Sequence, residues 1–263
     1  MKARIGDIDI HYQISGQGPW ITLSHSLAAH GGMWAPQVAV LAQHFTVLNV
    51  DTRGHGQTDA PPSPYRLEQM ADDVQGLLAH LGVARTHWLG LSMGGMIGQV
   101  LALRRPQVLD RVVLADTTGQ GAPNAAQMWA DRAQAARASG MAALMEPTLA
   151  RWFTEPTRQD QPALMAEVGA MIAGTPVEGY AGCCAAIAGV DTLEGLRALR
   201  HPALVLVGDQ DLGTPPAMAQ RIAEHWPGAQ YKVLAGAAHL ANLEQPEAFN
   251  REVLGFLLAP GQN

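Results

Sequence analysis

Five consecutive residues, Gly90-Leu91-Ser92-Met93-Gly94, set the strictest condition on how this chain can fold. Ahead of them Thr86-His87-Trp88-Leu89 is short, mostly apolar and strand-like; behind them residues 95–103 have helical spacing and no proline. A G-x-S-x-G pentapeptide in that setting means a strand, a sharp turn and a helix in succession. The turn forces the serine into a tight backbone conformation, and the glycines two positions to either side remove side chains that would collide there. The serine hydroxyl is then held clear of the sheet, where a base and a substrate both reach it. In a chain with 28 glycines the bare spacing arises readily by accident. The flanking strand and helix are what make Ser92 a nucleophile rather than part of a structural turn.

The same alternation runs through the first half of the chain. Residues 2–14 alternate around Gly6-Asp7 as a hairpin would, and Trp20 to His25 is a buried-strand run. A loop to Gly32 leads into a helical pattern from about Met33 to Gln43. Phe45 to Asp51 is the next strand, followed by the turn-rich stretch Asp51-Thr52-Arg53-Gly54-His55-Gly56-Gln57-Thr58-Asp59. An amphipathic helix is expected from about Leu67 to Leu81, and a further strand from Arg111 to Asp116. Strands alternating with helices predict an α/β fold with a mostly parallel sheet flanked by helices, its active groups at the C-terminal ends of the strands. From about Thr118 to Val190 the rhythm breaks. Alanine-rich helical stretches, punctuated by Pro123, Pro147, Pro156, Pro162 and Pro176, read as a helical cap inserted over the active edge of the sheet. The expected organisation is a core of residues 1–117 and 191–263 and a cap of residues 118–190. The sheet resumes at Ala203 to Gly208 and Gln230 to Leu234, and a last helix is expected from about Pro246 to Leu258.

Composition excludes several classes of function. A 263-residue chain that is 48% hydrophobic and 15% charged can bury a substantial core. Its net charge of −6, with no run of Lys or Arg, is the wrong footprint for nucleic acid. The two cysteines, Cys183 and Cys184, are neighbours. Adjacent residues rarely reach disulfide geometry, and two thiols alone make no zinc site. No metal or organic cofactor is expected. The first residues lack an apolar signal core and no stretch of about 18 apolar residues follows, so a soluble, cytoplasmic protein with no membrane partner is expected.

A serine hydroxyl needs a base, and the base an orienting acid. His239, in the small-residue loop Gly236-Ala237-Ala238-His239, follows the last strand and is the expected base. Asp211, just past the tip of the preceding strand, is the expected acid, with Asp209 bracing the loop. Asp116, ending the strand after the nucleophile helix, is the competing acid. His25 is expected to line the site without acting as base, and His55 to serve loop packing. The developing oxyanion needs backbone donors; Met93, the residue after the nucleophile, and Leu27, in the loop after the strand ending at His25, are the expected pair.

Taken together, these residues resemble the α/β-hydrolase superfamily along essentially the whole chain. Within it the sequence is most similar to 3-oxoadipate enol-lactonases. The matching segments are Asp51-Thr52-Arg53-Gly54-His55-Gly56, residues 90–96, Ala238-His239-Leu240-Ala241-Asn242-Leu243-Glu244-Gln245-Pro246, and the cap segments Arg151-Trp152-Phe153 and Thr175 to Cys184. The sequence departs from those lactonases at Leu27-Ala28, where they tend to have Leu-Gly, and at His25, where they often carry Asn. The resemblance implies a serine hydrolase that opens a small enol-lactone through an acyl-enzyme. That substrate carries a carboxylate, for which Arg132 and Arg151, close to Trp129 and Trp152, are the candidate partners. A broad carboxylesterase would share the triad and differ only in its pocket, and a perhydrolase activity would be a side reaction of the same serine. A receptor-like ligand-binding protein on this fold would bind with at most slow hydrolysis.

Overall fold

Eight strands form one sheet: β1 (Lys2–Ile5), β2 (Ile8–Ser15), β3 (Trp20–Ser24), β4 (Thr46–Val50), β5 (Thr86–Leu91), β6 (Leu109–Ala115), β7 (Ala203–Gly208) and β8 (Gln230–Leu234). In space they run β1-β2-β4-β3-β5-β6-β7-β8. The β1–β2 hairpin turns at Gly6-Asp7 and joins β4 antiparallel through β2, whereas every pairing from β4 across to β8 is parallel. This is a computed structural model, and it describes residues 1–260. Every residue of β7 is buried, as are all but one of β3, β4 and β5. Helices cover both faces there, so these strands read in sequence as apolar runs rather than as alternation. At the edge, β8 buries only Leu234.

The helix Met93–Arg104 leaves β5 and is buried from Met93 through Ala102. The helix Leu67–His80 packs beside it and buries one stripe, Leu67, Met70, Ala71, Val74, Leu77 and Leu78. The helix expected from about Met33 to Gln43 is shorter and in two parts. A 3₁₀ turn, Gly31–Trp34, precedes an α-helix of Ala35–Leu41. Pro36 explains the division, since it has no N–H to continue a ladder from the preceding turn and favours a helix start. The last helix, Pro246–Leu257, closes against the first helix.

Between β6 and β7 the chain forms the helices Ala125–Ser139, Met145–Trp152, Glu155–Asp160, Pro162–Gly174, Val177–Ala188 and the short Leu193–Leu196, with a 3₁₀ turn at Met141–Leu144. The described residues of this segment contain no strand; its ends meet in a single bridge, Gln120 to Asp191. Pro147, Pro156 and Pro162 sit in first helical turns and Pro176 caps Val177–Ala188, so prolines open these helices rather than breaking them. Among the described residues no helix is long and apolar enough to cross a membrane.

Candidate active site

Ser92 stands at the end of β5 with φ 55° and ψ −115°, a left-handed conformation that a side chain rarely adopts. Two bonds hold it there: its N–H donates to the Ala115 carbonyl at 2.9 Å, and the Thr117 hydroxyl donates to its carbonyl at 2.7 Å. A Cβ on Gly94 would run into the Ser24 carbonyl, so no larger residue can occupy this turn.

The chain brings His239 and Asp211 to this serine from β8 and β7. His239 Nε2 is 2.9 Å from Ser92 Oγ, and its Nδ1 is 2.8 Å from Asp211 Oδ2. Ser92, His239 and Asp211 are 7%, 4% and 2% exposed, so all three are nearly dry. The Asp211 carboxylate accepts from the amides of Gly213 (2.7 Å) and Thr214 (3.0 Å) and from the Thr214 hydroxyl (2.8 Å). Burial alone would raise its pKa; the facing His239 and the Thr214 donors outweigh burial and hold the carboxyl below its usual range. An ionised Asp211 accepts a hydrogen bond from Nδ1–H of His239, which keeps the proton on Nδ1 and leaves the Nε2 lone pair for the serine hydroxyl.

The competing acid is placed otherwise. Asp116, at φ 46°, accepts the Gly208 N–H at 2.8 Å, and among the described residues its Oδ2 has no hydrogen-bond partner. It is fully buried, and burial followed by the charge of Asp211 pushes its carboxyl well above the usual range. Asp209 accepts the amides of Gly236 (2.9 Å) and Ala237 (3.3 Å), bracing the loop that leads to His239.

Met93 is the first residue of its helix, so its N–H has no helical partner. Leu27 faces the cavity with Ser26 and Ala28. The expectation that His25 also lines the site is corrected. Its ring is fully buried behind the loop, away from the cavity wall, because both nitrogens serve the backbone. Nε2 accepts from the Thr52 N–H at 2.9 Å, which leaves the proton on Nδ1 to donate to the Ser26 carbonyl at 2.7 Å. His55 answers from the other side, accepting the Ala28 N–H at 2.9 Å. Burial, and then the neighbouring His25, push His55 down to about 3, so it stays neutral and remains an acceptor. The two histidines thus lace residues 25–28 to residues 52–55, the loop-packing role expected of His55.

Above Ser92 lies a cavity of about 160 Å³. Trp129, Arg132, Arg151 and Trp152 all line it, together with Met96, Met128 and Tyr180. The Arg132 guanidinium lies 4.5 Å over the Trp129 ring. Arg137 pairs with Glu178 at 2.8 Å, whereas among the described residues neither Arg132 nor Arg151 forms an ion pair. Burial and the like charge of Arg132 lower the pKa of Arg151. Among the described residues no cluster of three His, Cys, Asp or Glu could hold a metal ion.

A profile of the alpha/beta hydrolase fold family matches residues 19–246. The chain belongs to the α/β-hydrolase fold family. Its relatives in the family include 3-oxoadipate enol-lactonase 2 of Acinetobacter baylyi, 36% identical over 94% of this chain and 92% of that one. The crystal structure of the enol-lactonase from Burkholderia xenovorans LB400 is 40% identical, with a TM-score of 0.95 over 98% of this chain and all of that one. A thermophilic esterase from Thermogutta terrifontis, solved with malate bound, is 30% identical, with a TM-score of 0.93 over 98% of each chain.

Sequence reasoning missed Thr214 and Glu244. The Thr214 hydroxyl, three residues past Asp211, donates to its Oδ2 at 2.8 Å. Glu244 is a buried carboxylate five residues after His239, and nothing in the sequence marks it as buried. Its partners are two backbone amides and the Thr154 hydroxyl, 90 residues away, a pairing that leaves no mark in sequence.

Proposed function

We propose that this α/β-hydrolase opens a small enol-lactone bearing a carboxylate, of the 3-oxoadipate enol-lactone kind, through an acyl-enzyme on Ser92. The observation that carries the reading is the placing of a serine–histidine–aspartate array beside a cavity lined by two arginines that form no ion pair among the described residues. Relatives named as 3-oxoadipate enol-lactonase and enol-lactonase support the choice of substrate.

Ser92 Oγ attacks the lactone carbonyl while His239 Nε2 takes its proton. The amides of Met93 and Leu27 donate to the oxyanion. The ring C–O bond then breaks, and the enolate takes the proton back from His239 and ketonises, still tethered to the acyl group. Ketonisation makes ring opening effectively irreversible. Water, deprotonated by His239, attacks the acyl carbon and releases Ser92 and a 3-oxo dicarboxylate. Through both steps Arg132 and Arg151, in the helical cap over the sheet, hold the carboxylate that does not react.

Replacing either arginine by methionine keeps most of the apolar stem and removes the charge. A charge-assisted hydrogen bond is worth about 1.5–3 kcal/mol, or roughly ten- to a hundredfold in binding. At least one of Arg132→Met and Arg151→Met should therefore raise KM for the acidic lactone by that factor. A neutral ester of similar size should be nearly unaffected. Equal losses on both substrates would mean lost packing instead. A wild type that prefers the neutral ester in kcat/KM would sink the lactonase reading in favour of an esterase.

A further inference from the structure

The carboxylate of Glu244 joins two parts of the chain that meet over the site. Its Oε1 accepts both the backbone N–H and the hydroxyl of Thr154, each at 2.8 Å. Its Oε2 accepts the N–H of Ala238, the residue before His239, at 2.5 Å. A fourth bond runs alongside, from the Leu240 N–H to the Trp152 carbonyl at 3.1 Å. Residues 152–154 are thereby stapled to residues 238–240. Trp152 lines the cavity, next to Arg151, and its ring lies 6.2 Å from that of His239. Glu244 is 6% exposed and has no cationic partner among the described residues, so three donors, two of them amides, are what hold its charge there.

We propose that Glu244 is a positioning residue that locks the cavity wall at residues 152–154 and the loop carrying His239 into one rigid unit. Whatever presses on the wall through Arg151 and Trp152 is then felt at the base. The inference rests on the serine–histidine mechanism proposed above. A carboxylate suits the task because it accepts at both oxygens. In Glu244→Gln the amide NH₂ must face either Ala238 or Thr154, setting donor against donor on one side of the staple. Either the base or the wall then shifts, and a misplacement of about 1 Å near the chemistry can cost roughly 10²-fold.

The test uses the full chain and p-nitrophenyl acetate, whose burst reports acylation, together with the low-field proton resonance of the His239–Asp211 pair. In folded Glu244→Gln, acylation should fall about ten- to a hundredfold and the resonance should shift or exchange away. Thr154→Val removes the hydroxyl donor to Glu244 on the wall side, together with the cap its Oγ1 gives the Thr157 N–H. It should raise KM for the acidic lactone roughly two- to tenfold and leave the resonance in place. A folded Glu244→Gln with acylation within about twofold of wild type and an unchanged resonance overturns the proposal. Should Glu244→Gln not fold, Thr154→Val decides, and an unchanged KM overturns it. Ser92→Ala separates the two readings. Retained turnover there defeats the serine mechanism, whereas loss of turnover there beside an unaffected Glu244→Gln defeats only the staple.

Discussion

Asp116 and Asp211 close neighbouring strands, β6 and β7, and their surroundings drive them to opposite protonation states. The Asp211 carboxyl is held below the usual carboxylate range and Asp116 well above it, the charge of the first helping to keep the second neutral. Asn is therefore nearly isosteric and isoelectronic with the Asp116 found in the fold, and Asp116→Asn should leave kcat close to wild type. Asp211→Asn should lose about 10⁴ in kcat by stranding His239 in the wrong tautomer. Their pH signatures also differ. Stability contributed by Asp211 is full above the ordinary carboxylate pKa and is lost as pH falls through its lower folded value. Asp116 works the other way: the unfolded chain ionises it near 3.8 while the folded protein keeps the proton, so stability falls as pH rises toward its folded value. Urea melts at about pH 4 and pH 8 should show Asp116→Asn gaining on wild type at the higher pH. A constant gap would mean that Asp116 is already ionised in the fold.

Elements were readable from sequence where burial repeats along the chain and unreadable where a role depends on a distant amide. β7 is an unbroken apolar run because both its faces are covered, and the stripe from Leu67 to Leu78 has the spacing of a one-sided helix. Ser92, His239 and Asp211 were readable because each follows a recognisable strand in a fixed order. The place of His25 was not, since what turns its ring from the cavity is the Thr52 N–H, 27 residues away. Glu244 escaped for the same reason. Contact between elements also sets a residue that looks optional in sequence. Gly179, in the helix Val177–Ala188, lies against Gly54 so closely that a Cβ would land on the Gly54 carbonyl. Gly179→Ala should cost about 1–3 kcal/mol in a urea melt. Because Tyr180 beside it lines the cavity, KM should rise more than kcat falls. A stability change with unaltered KM would show that this helix does not shape the pocket.

At the scale of the whole molecule, the first and last helices are fastened across more than 200 residues of sequence. Gln37 Nε2 of the first helix donates to Asn250 Oδ1 of the last (2.9 Å), and Asn250 Nδ2 donates to the Pro36 carbonyl (3.3 Å). Phe249, Val253, Phe256 and Leu257 of the last helix are all buried. At about 1.5–3 kcal/mol for each such side chain, their burial rivals the roughly 5–15 kcal/mol that holds a typical domain folded. A chain ending at Gln245 should therefore lack a cooperative thermal transition by circular dichroism, although it retains Ser92, Asp211 and His239. A cooperative melt of that fragment would show the last helix to be an accessory.

The backbone of Ser92 carries one more implication. Its φ of 55° is held by the turn and by its neighbours, not by anything the serine side chain prefers. Such a conformation costs of order 1–3 kcal/mol for a residue with a Cβ, and glycine adopts it freely. Ser92→Gly should consequently melt higher than wild type while turning over nothing; a lower melting point would mean that the hydroxyl holds the turn together. Drift and selection then pull this position in opposite directions. A duplicate of the gene freed from any need for turnover would gain durability by discarding the serine.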